Sequence, residues 1–480
     1  MTDKSVIREY FTGKSVFITG ATGFIGKVLV EKLLRFCTGL DTIYILIRKK
    51  KGQSAEERLE TLLQSKLFSF SLDVHKVRHK LVAIDGDLSV DGIGLKESDL
   101  KLLVRDVSVI FHVAGDVKFN ETIRDAVTHN LIGTKYVMQL CRQCRRLEAL
   151  VHVSTAYAFC QRSDLEERIY PMKVTPEEVI HAVETMNDTQ LQNYTEPLLE
   201  GRPNCYTFAK ALAEHIVLKD KPVGLPVAIV RPSIVLATYE EPIAGWIDNF
   251  NGATGIALLG SLGIMRIADY DADKRVSFIP VDMTCNALIT SAWHMATARP
   301  PDVQIYHLSS EPHNTPPLVD VVESFVLAQQ DSPSIKVVRP HAGVPHTRPS
   351  RLRLWMTILI SHLMFAYFVD AIIWLFGYKP IMVSVTQRMH NGFEMLSYFW
   401  MKEWTFHSLN TRSLMAILRR HSPYDSQHFK FDVSIVDWNL MTKNSWYGGR
   451  RYLLKEDDDN IPKAKRRLTK YVLLLSTFPY

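Results

Sequence analysis

Lys14-Ser15-Val16-Phe17-Ile18-Thr19-Gly20-Ala21-Thr22-Gly23-Phe24-Ile25-Gly26 decides the fold of this 480-residue chain. Residues 14–19 are an apolar run of the kind that forms a strand buried on both faces. Glycines at 20, 23 and 26 punctuate the turn that follows. Lys27 to Phe36 then repeats apolar residues at helical spacing, at Val28, Leu29, Leu33 and Phe36. Thr42 to Ile47 reads as a second buried strand. Strand, glycine turn, helix and strand make one βαβ unit, which requires a parallel sheet.

Working outward, further strands are predicted over Lys80–Ile84, Val107–Val113, Ala149–Ser154, Pro226–Arg231 and Gln304–Ser309, with helical stretches between them. This alternation predicts an α/β fold: a Rossmann-like, doubly wound parallel sheet covered on both faces. Beyond residue 240 the alternation weakens. Gly245 to Gly263 is rich in glycine and apolar residues and suits a wall around a pocket. The chain divides into a nucleotide-binding domain over 12–330, a proline-rich basic linker over 331–353, a mainly helical domain over 354–455 and a charged tail over 456–480.

Hydrophobic residues make up 46% and charged residues 22%, which excludes a mostly disordered chain. The net charge of +6 is modest, and no basic helix is interleaved with base-stacking aromatics, so nucleic acid is not an expected partner. Cys141 and Cys144 form a CxxC with no second pair, which reads as two ordinary thiols on one helix face, and no metal site is expected. Met1 to Arg8 is polar with no apolar signal core, which places the catalytic part in a reducing, cytosolic setting. Leu354 to Phe376 is the most apolar run and is long enough to span a bilayer. Arg348, Arg351 and Arg353 precede it and Lys379 follows. Ser361, His362 and Asp370 lie inside it, and an aspartate is costly in lipid. Three readings stay open: a spanning helix, an in-plane hairpin and a buried helical pair. In the tail, Lys463, Lys465, Arg466, Arg467 and Lys470 adjoin the apolar stretch Tyr471 to Tyr480, a pattern that suits an anionic membrane surface.

The glycine turn implies a bound dinucleotide. Glycine lets the backbone turn tightly and removes side chains where a pyrophosphate approaches. The phosphates then sit on the amides of a helix N-terminus. Thr19, Gly20, Thr22, Gly23, Phe24, Ile25 and Gly26 are the contact candidates. An NAD site places a carboxylate after the second strand. Here that strand ends Ile47-Arg48-Lys49-Lys50-Lys51, so cations replace it and NADPH is expected, with Arg48 on the 2′-phosphate. Asp87 and Leu88, after the third strand, suit the adenine. Val113-Ala114-Gly115 would lie under the cofactor, and Asn130 would fix backbone geometry nearby.

Tyr206 and Lys210 stand one helical turn apart and share a helix face. Ser154 and Thr155 end the strand Leu150–Val153. A hydroxyl there can stabilise an oxyanion while a phenol protonates it. Thr155 is the favoured donor, with Ser154 the alternative. The Lys210 ammonium is expected to lower the phenol pKa. This pattern describes a carbonyl reductase.

At these residues the chain resembles the alcohol-forming fatty acyl-CoA reductases, extended short-chain dehydrogenases with an added C-terminal domain. The resemblance covers residues 12 to 455. It rests on Thr19 to Gly26, Val151 to Tyr157, Tyr206 to Lys210, Arg231-Pro232-Ser233-Ile234-Val235 and Ile279 to Met283. Its more specific part is Phe429-Lys430-Phe431-Asp432, Asp437-Trp438 and Gly449 to Lys455. The resemblance implies that long-chain acyl-CoA is reduced by NADPH in two steps to a primary alcohol, through an aldehyde retained in an apolar pocket. It adds Pro232 and Ile234 to the cofactor contacts. It implies attachment to a peroxisomal or endoplasmic reticulum membrane, with the catalytic domain facing the cytosol. The competing readings are a membrane-bound 3β-hydroxysteroid or sugar-nucleotide dehydrogenase of the same fold, and a non-catalytic NADPH-binding scaffold.

Overall fold

The structure, a computed structural model, describes residues 4–50, 52–310, 314–340 and 346–476, the last six without their side chains. Lys51, positions 341–345 of the expected linker and the end of the apolar tail, 477–480, lie outside the described residues.

Seven parallel strands form one sheet: β1 (Ser15–Thr19), β2 (Ile43–Ile47), β3 (Leu81–Asp85), β4 (Val107–His112), β5 (Ala149–Val153), β6 (Val227–Pro232) and β7 (Gln304–Leu308). Their order across the sheet is β3-β2-β1-β4-β5-β6-β7. The order reverses between β1 and β4, which opens the crevice where open α/β sheets bind ligands. All seven lie within two residues of the predicted strands. The central strands read as continuous apolar runs because helices cover both faces. Helix α1 (Phe24–Phe36) packs with Val281–Ala298 on one side. Helices α2 (Gly133–Gln143) and α3 (Cys205–Asp220) pack together on the other, where Phe208, Leu212, Val137 and Leu140 join Ile110, Leu150 and Ile229 in one core.

The chain forms two compact units that interleave in sequence. The first holds Met1–Val235, Ile279–Glu311 and Trp404–Ser434; the second holds Leu236–Phe278, Pro312–Glu403 and Ile435–Tyr480. The expected linker, 331–353, thus falls inside the second unit, and 404–434 returns to the first. Burial explains that return. Phe429 is buried edge-on against Phe36 of α1, with ring centroids 4.6 Å apart. Asp425 accepts the Ile7 amide at 3.0 Å, and Thr405–Phe406 pairs in parallel with Asp164–Leu165.

The second unit is mainly helical, with Trp446 buried among Leu258, Leu262, Ala328 and Leu454. A Cβ on Gly448 would overlap the Gly245 carbonyl oxygen, so two backbones meet there. Glu456 opens the expected charged tail but packs inside the second unit. It is buried, accepts the Ser334 hydroxyl at 2.5 Å and pairs with buried Arg450 at 3.4 Å. Cys141 is buried in α2, whereas Cys144 lies just past the end of that helix, so the two thiols do not share a helix face.

Candidate active site

The glycine turn leaves β1 at Gly20, whose φ of +76° lies in the left-handed region. A Cβ there would sit 2.6 Å from the Ala114 backbone nitrogen, so the turn and the end of β4 close on each other only over glycine. A Cβ on Gly26 would overlap the Gly20 carbonyl oxygen. The Gly23 amide donates to the Gly20 carbonyl at 2.9 Å, and no side chain caps α1. The outcome is an uncovered helix N-terminus above a narrow backbone cradle, which fits a dinucleotide pyrophosphate.

A buried network holds the floor. The Thr134 hydroxyl donates to the Asn130 carbonyl at 2.6 Å. His112 Nε2, 3.0 Å from that hydroxyl, must therefore be the N–H donor, and Nδ1 accepts from Thr19 at 2.7 Å. The imidazole stays neutral, because burial and then the Lys210 charge push its pKa down to about 3. The Ala114 amide donates to the Thr19 hydroxyl at 3.2 Å.

At the outer end, Arg48 lies 4.0 Å from Asp87 and remains half-exposed, whereas Lys49 is tied to Asp85 at 2.8 Å. Burial raises the Asp87 pKa, but bonds from the Ser89 amide and hydroxyl, helped by Arg48, hold it below the ordinary carboxylate range. Leu88 backs onto Gly133, where a Cβ would come within 3.0 Å of it.

Helix α3 starts at Asn204, whose side chain accepts the Thr207 amide at 2.9 Å. It carries Tyr206 and Lys210, both buried. Lys210 Nζ donates to the Val153 carbonyl at 2.9 Å. A Cβ on Gly115 would lie 2.8 Å from that Nζ and 2.9 Å from Asn130 Oδ1, so both groups converge on one glycine. The Asn130 amide donates to the carbonyls of Asp116 and Ala126, and its buried Oδ1 has no partner among the described residues. Thr155 accepts the Tyr157 amide at 3.3 Å and hydrogen-bonds the Tyr206 side chain. The buried Ser154 hydroxyl has no partner among the described residues. The structure thus joins Tyr206 with Thr155 and seats Lys210 against Asn130.

The expected lowering of the phenol does not occur. Burial pushes Tyr206 well above its ordinary pKa, and the Thr155 bond offsets only part of that. Burial also lowers Lys210 to about 8, against a smaller opposing effect of Glu214. Desolvation outweighs the Thr155 bond at Tyr206 and the Glu214 charge at Lys210 because both side chains are buried.

Sequence reasoning passed over the part of the loop after β4 that follows Gly115. Phe119 lies against the Tyr206 ring at 5.7 Å. Asp116, Glu121 and His129 bring ligand atoms within 4.8 Å of one another. Lys118 already lies 2.7 Å from Asp116 and 3.2 Å from Glu121. No motif announces this cluster, since its members meet only through the turn into the next helix.

Residues 18–288 match a NAD-binding family model described as male sterility protein, and residues 361–456 match a second model, Sterile, of the same description. Fatty acyl-CoA reductase 1 of Rattus norvegicus is 36% identical over 97% of this chain and 89% of its own length. Fatty acyl-CoA reductase 2 of Homo sapiens is 37% identical over 97% of this chain and 90% of its own. This chain belongs to the fatty acyl-CoA reductase family. The reductase also shares its fold with the terminal R domain of the myxalamid pathway, with a TM-score of 0.61 at 19% identity over 93% of this chain and 92% of that one. A reductase domain of a non-ribosomal peptide synthetase from Mycobacterium tuberculosis gives a TM-score of 0.58 at 18% identity, over 94% and 96% of the two chains. The reductase is therefore an oxidoreductase with a nicotinamide-binding Rossmann unit.

Proposed function

We propose that this reductase converts long-chain acyl-CoA to the primary fatty alcohol with NADPH, releasing coenzyme A and retaining the aldehyde between two reductions. The observation that carries the reading is a buried Tyr206 bonded to Thr155, one helical turn from Lys210, in a chain of this family. Thr19, Gly20, Thr22, Gly23, Phe24, Ile25 and Gly26 would cradle the pyrophosphate. Arg48 would hold the 2′-phosphate, Asp87 and Leu88 the adenine, and Val113, Ala114, Pro232 and Ile234 the nicotinamide end. Bound there, NADPH supplies hydride, one equivalent to the thioester and one to the aldehyde.

The remaining chemistry belongs to the chain. Thr155 and Tyr206 hydrogen-bond the carbonyl oxygen and stabilise the negative charge that develops on it. Tyr206, kept protonated by burial, donates its proton to that oxygen. Lys210 holds the cofactor ribose and steadies the resulting phenolate. Ser154, with an unengaged hydroxyl, is a second oxyanion donor. The apolar helix over Arg351–Leu375 supports association with a membrane. The family resemblance implies the peroxisomal or endoplasmic reticulum membrane, with the site on the cytosolic side. Incubating the purified protein with NADPH and acyl-CoAs of several lengths tests the reading. A primary alcohol is the expected lipid, and a failure to turn over any acyl-CoA overturns it.

Two further results are expected. Arg48→Ala should raise the KM for NADPH by roughly tenfold or more, through loss of a phosphate-bound guanidinium, and leave that for NADH nearly unchanged. Equal effects on both cofactors would remove the 2′-phosphate role. The rate should also fall as pH rises through about 8, where Lys210 loses the charge that steadies the phenolate. A profile flat to about pH 10, the range of an ordinary lysine, contradicts this.

A further inference from the structure

The run Leu354–Phe376 forms most of one helix, Arg351–Leu375, and its two sides differ. Gly377, at φ +78°, turns the chain back into the helix Met382–Trp400. The imidazole and the carboxylate of the run, His362 and Asp370, are both buried. His362 accepts the Arg266 amide at 2.8 Å and pairs with His390 at 3.1 Å. The Ser361 carbonyl accepts from the Arg339 guanidinium at 2.8 Å, and that guanidinium stacks 3.8 Å over the Phe365 ring. Buried Asp370 accepts the amides of Ile381, Met382 and Val383, which caps the returning helix.

The outer side is the reverse. Leu352, Trp355, Ile360, Met364, Phe368 and Trp374 are exposed along the helix, Phe368 and Trp374 to 64% and 68%. Between Leu354 and Tyr378 the only charged residue is the inward Asp370. Cations sit at both ends: Arg351 and Arg353 in the first turn of the helix and Lys379 after its last, all exposed. A spanning helix would carry Arg266, Arg339 and the His362–His390 pair to the bilayer centre, at high cost. A helix buried in a soluble unit would not leave this stripe open.

We infer that this helix lies in the plane of an anionic phospholipid surface. Its outer stripe enters the boundary between headgroups and acyl chains, and its cationic ends meet lipid phosphates and carboxylates. The helix is a docking element on one leaflet. The inference rests on the membrane reading above and specifies its geometry.

The test uses the full chain with phosphatidylcholine vesicles, with and without phosphatidylserine. Flotation with the anionic vesicles is expected, and weaker flotation at high salt. Phe368→Glu with Trp374→Glu should cut vesicle binding by roughly tenfold or more, with unchanged turnover of acyl-CoA in detergent. A fluorophore is then placed at Leu352→Cys, Met364→Cys or Leu375→Cys in a Cys144→Ser background, where the other five native thiols are buried. Bromine near the headgroup end of the acyl chain should quench all three sites alike. Quenching of position 364 by deep bromine alone, with the ends unquenched, means a spanning helix and overturns the inference. No binding to either vesicle, or a stable dimer that covers the stripe in its place, overturns it as well. Vesicle docking without acyl-CoA turnover would sink the enzymatic reading instead and leave the docking intact.

Discussion

Tyr206→Phe is expected to lower kcat by roughly a hundredfold to ten-thousandfold, the usual contribution of a positioned proton donor. The affinity for NADPH should hardly change. The substitution deletes one oxygen and keeps the ring, which stays packed on Phe119. The lost oxygen does two things in this site. It bonds Thr155, and because burial raises its pKa it carries a proton at neutral pH. A reduction needs the acid form of its donor at the start, so the raised pKa suits the reaction direction better than the lowered one that the sequence suggested. Thr155→Val should cost less, since Tyr206 keeps its proton and loses only a partner. Rapid-mixing turnover with fluorescence titration of NADPH separates the chemical loss from a binding loss. Native activity in Tyr206→Phe removes the phenol from the mechanism.

The second large effect is on stability. Arg231 in β6 is buried and makes a two-pronged pair with Glu214 of α3, at 2.9 and 2.6 Å. It also bonds His307 of β7 at 3.0 Å and the Arg168 carbonyl at 2.9 Å. His307 can accept because burial and the Arg231 charge hold it neutral, near a pKa of about 3. One guanidinium therefore ties the helix bearing Tyr206 and Lys210 to two adjacent strands. Arg231→Ala leaves Glu214 buried and unpaired, which should cost about 3–5 kcal/mol. Arg231→Lys should recover little of this, because an ammonium lacks the fork that grips both carboxylate oxygens. Arg231→Met combined with Glu214→Leu should recover most of it, since no charge then remains buried. Denaturant midpoints measure all three. An Arg231→Ala protein within about 1 kcal/mol of the parent would place the pair among ordinary surface contacts.

Much of the first unit was legible in the sequence, and the reason is local. Buried parallel strands are nearly continuous apolar runs, and Gly20 and Gly26 mark places where backbones touch. The return of 404–434 was not legible. Phe429 and Phe431 announce that they are buried, but periodicity does not say against which surface. The same limit concealed the partner of Arg450, a member of the Gly449–Lys455 stretch that is buried against Glu456. For the candidate site, Tyr206, Lys210 and Thr155 stand out from the sequence only in the company of the strand that ends in Ser154 and the glycine turn upstream. The direction of the phenol pKa could not be read there, because it depends on desolvation in the finished fold. The readings of Leu354–Phe376 could not be ranked for a related reason: composition counts His362 and Asp370 without showing that both face inward and are satisfied there.

The most direct test of the central claim is the stoichiometry of a single reaction mixture. The full-length protein is given excess NADPH and a limiting long-chain acyl-CoA, and cofactor oxidation, free thiol and lipid are measured together. The account predicts two NADPH oxidised for each coenzyme A released, with primary alcohol as the product and no free aldehyde accumulating. One NADPH for each coenzyme A, with aldehyde as the final lipid, would contradict it.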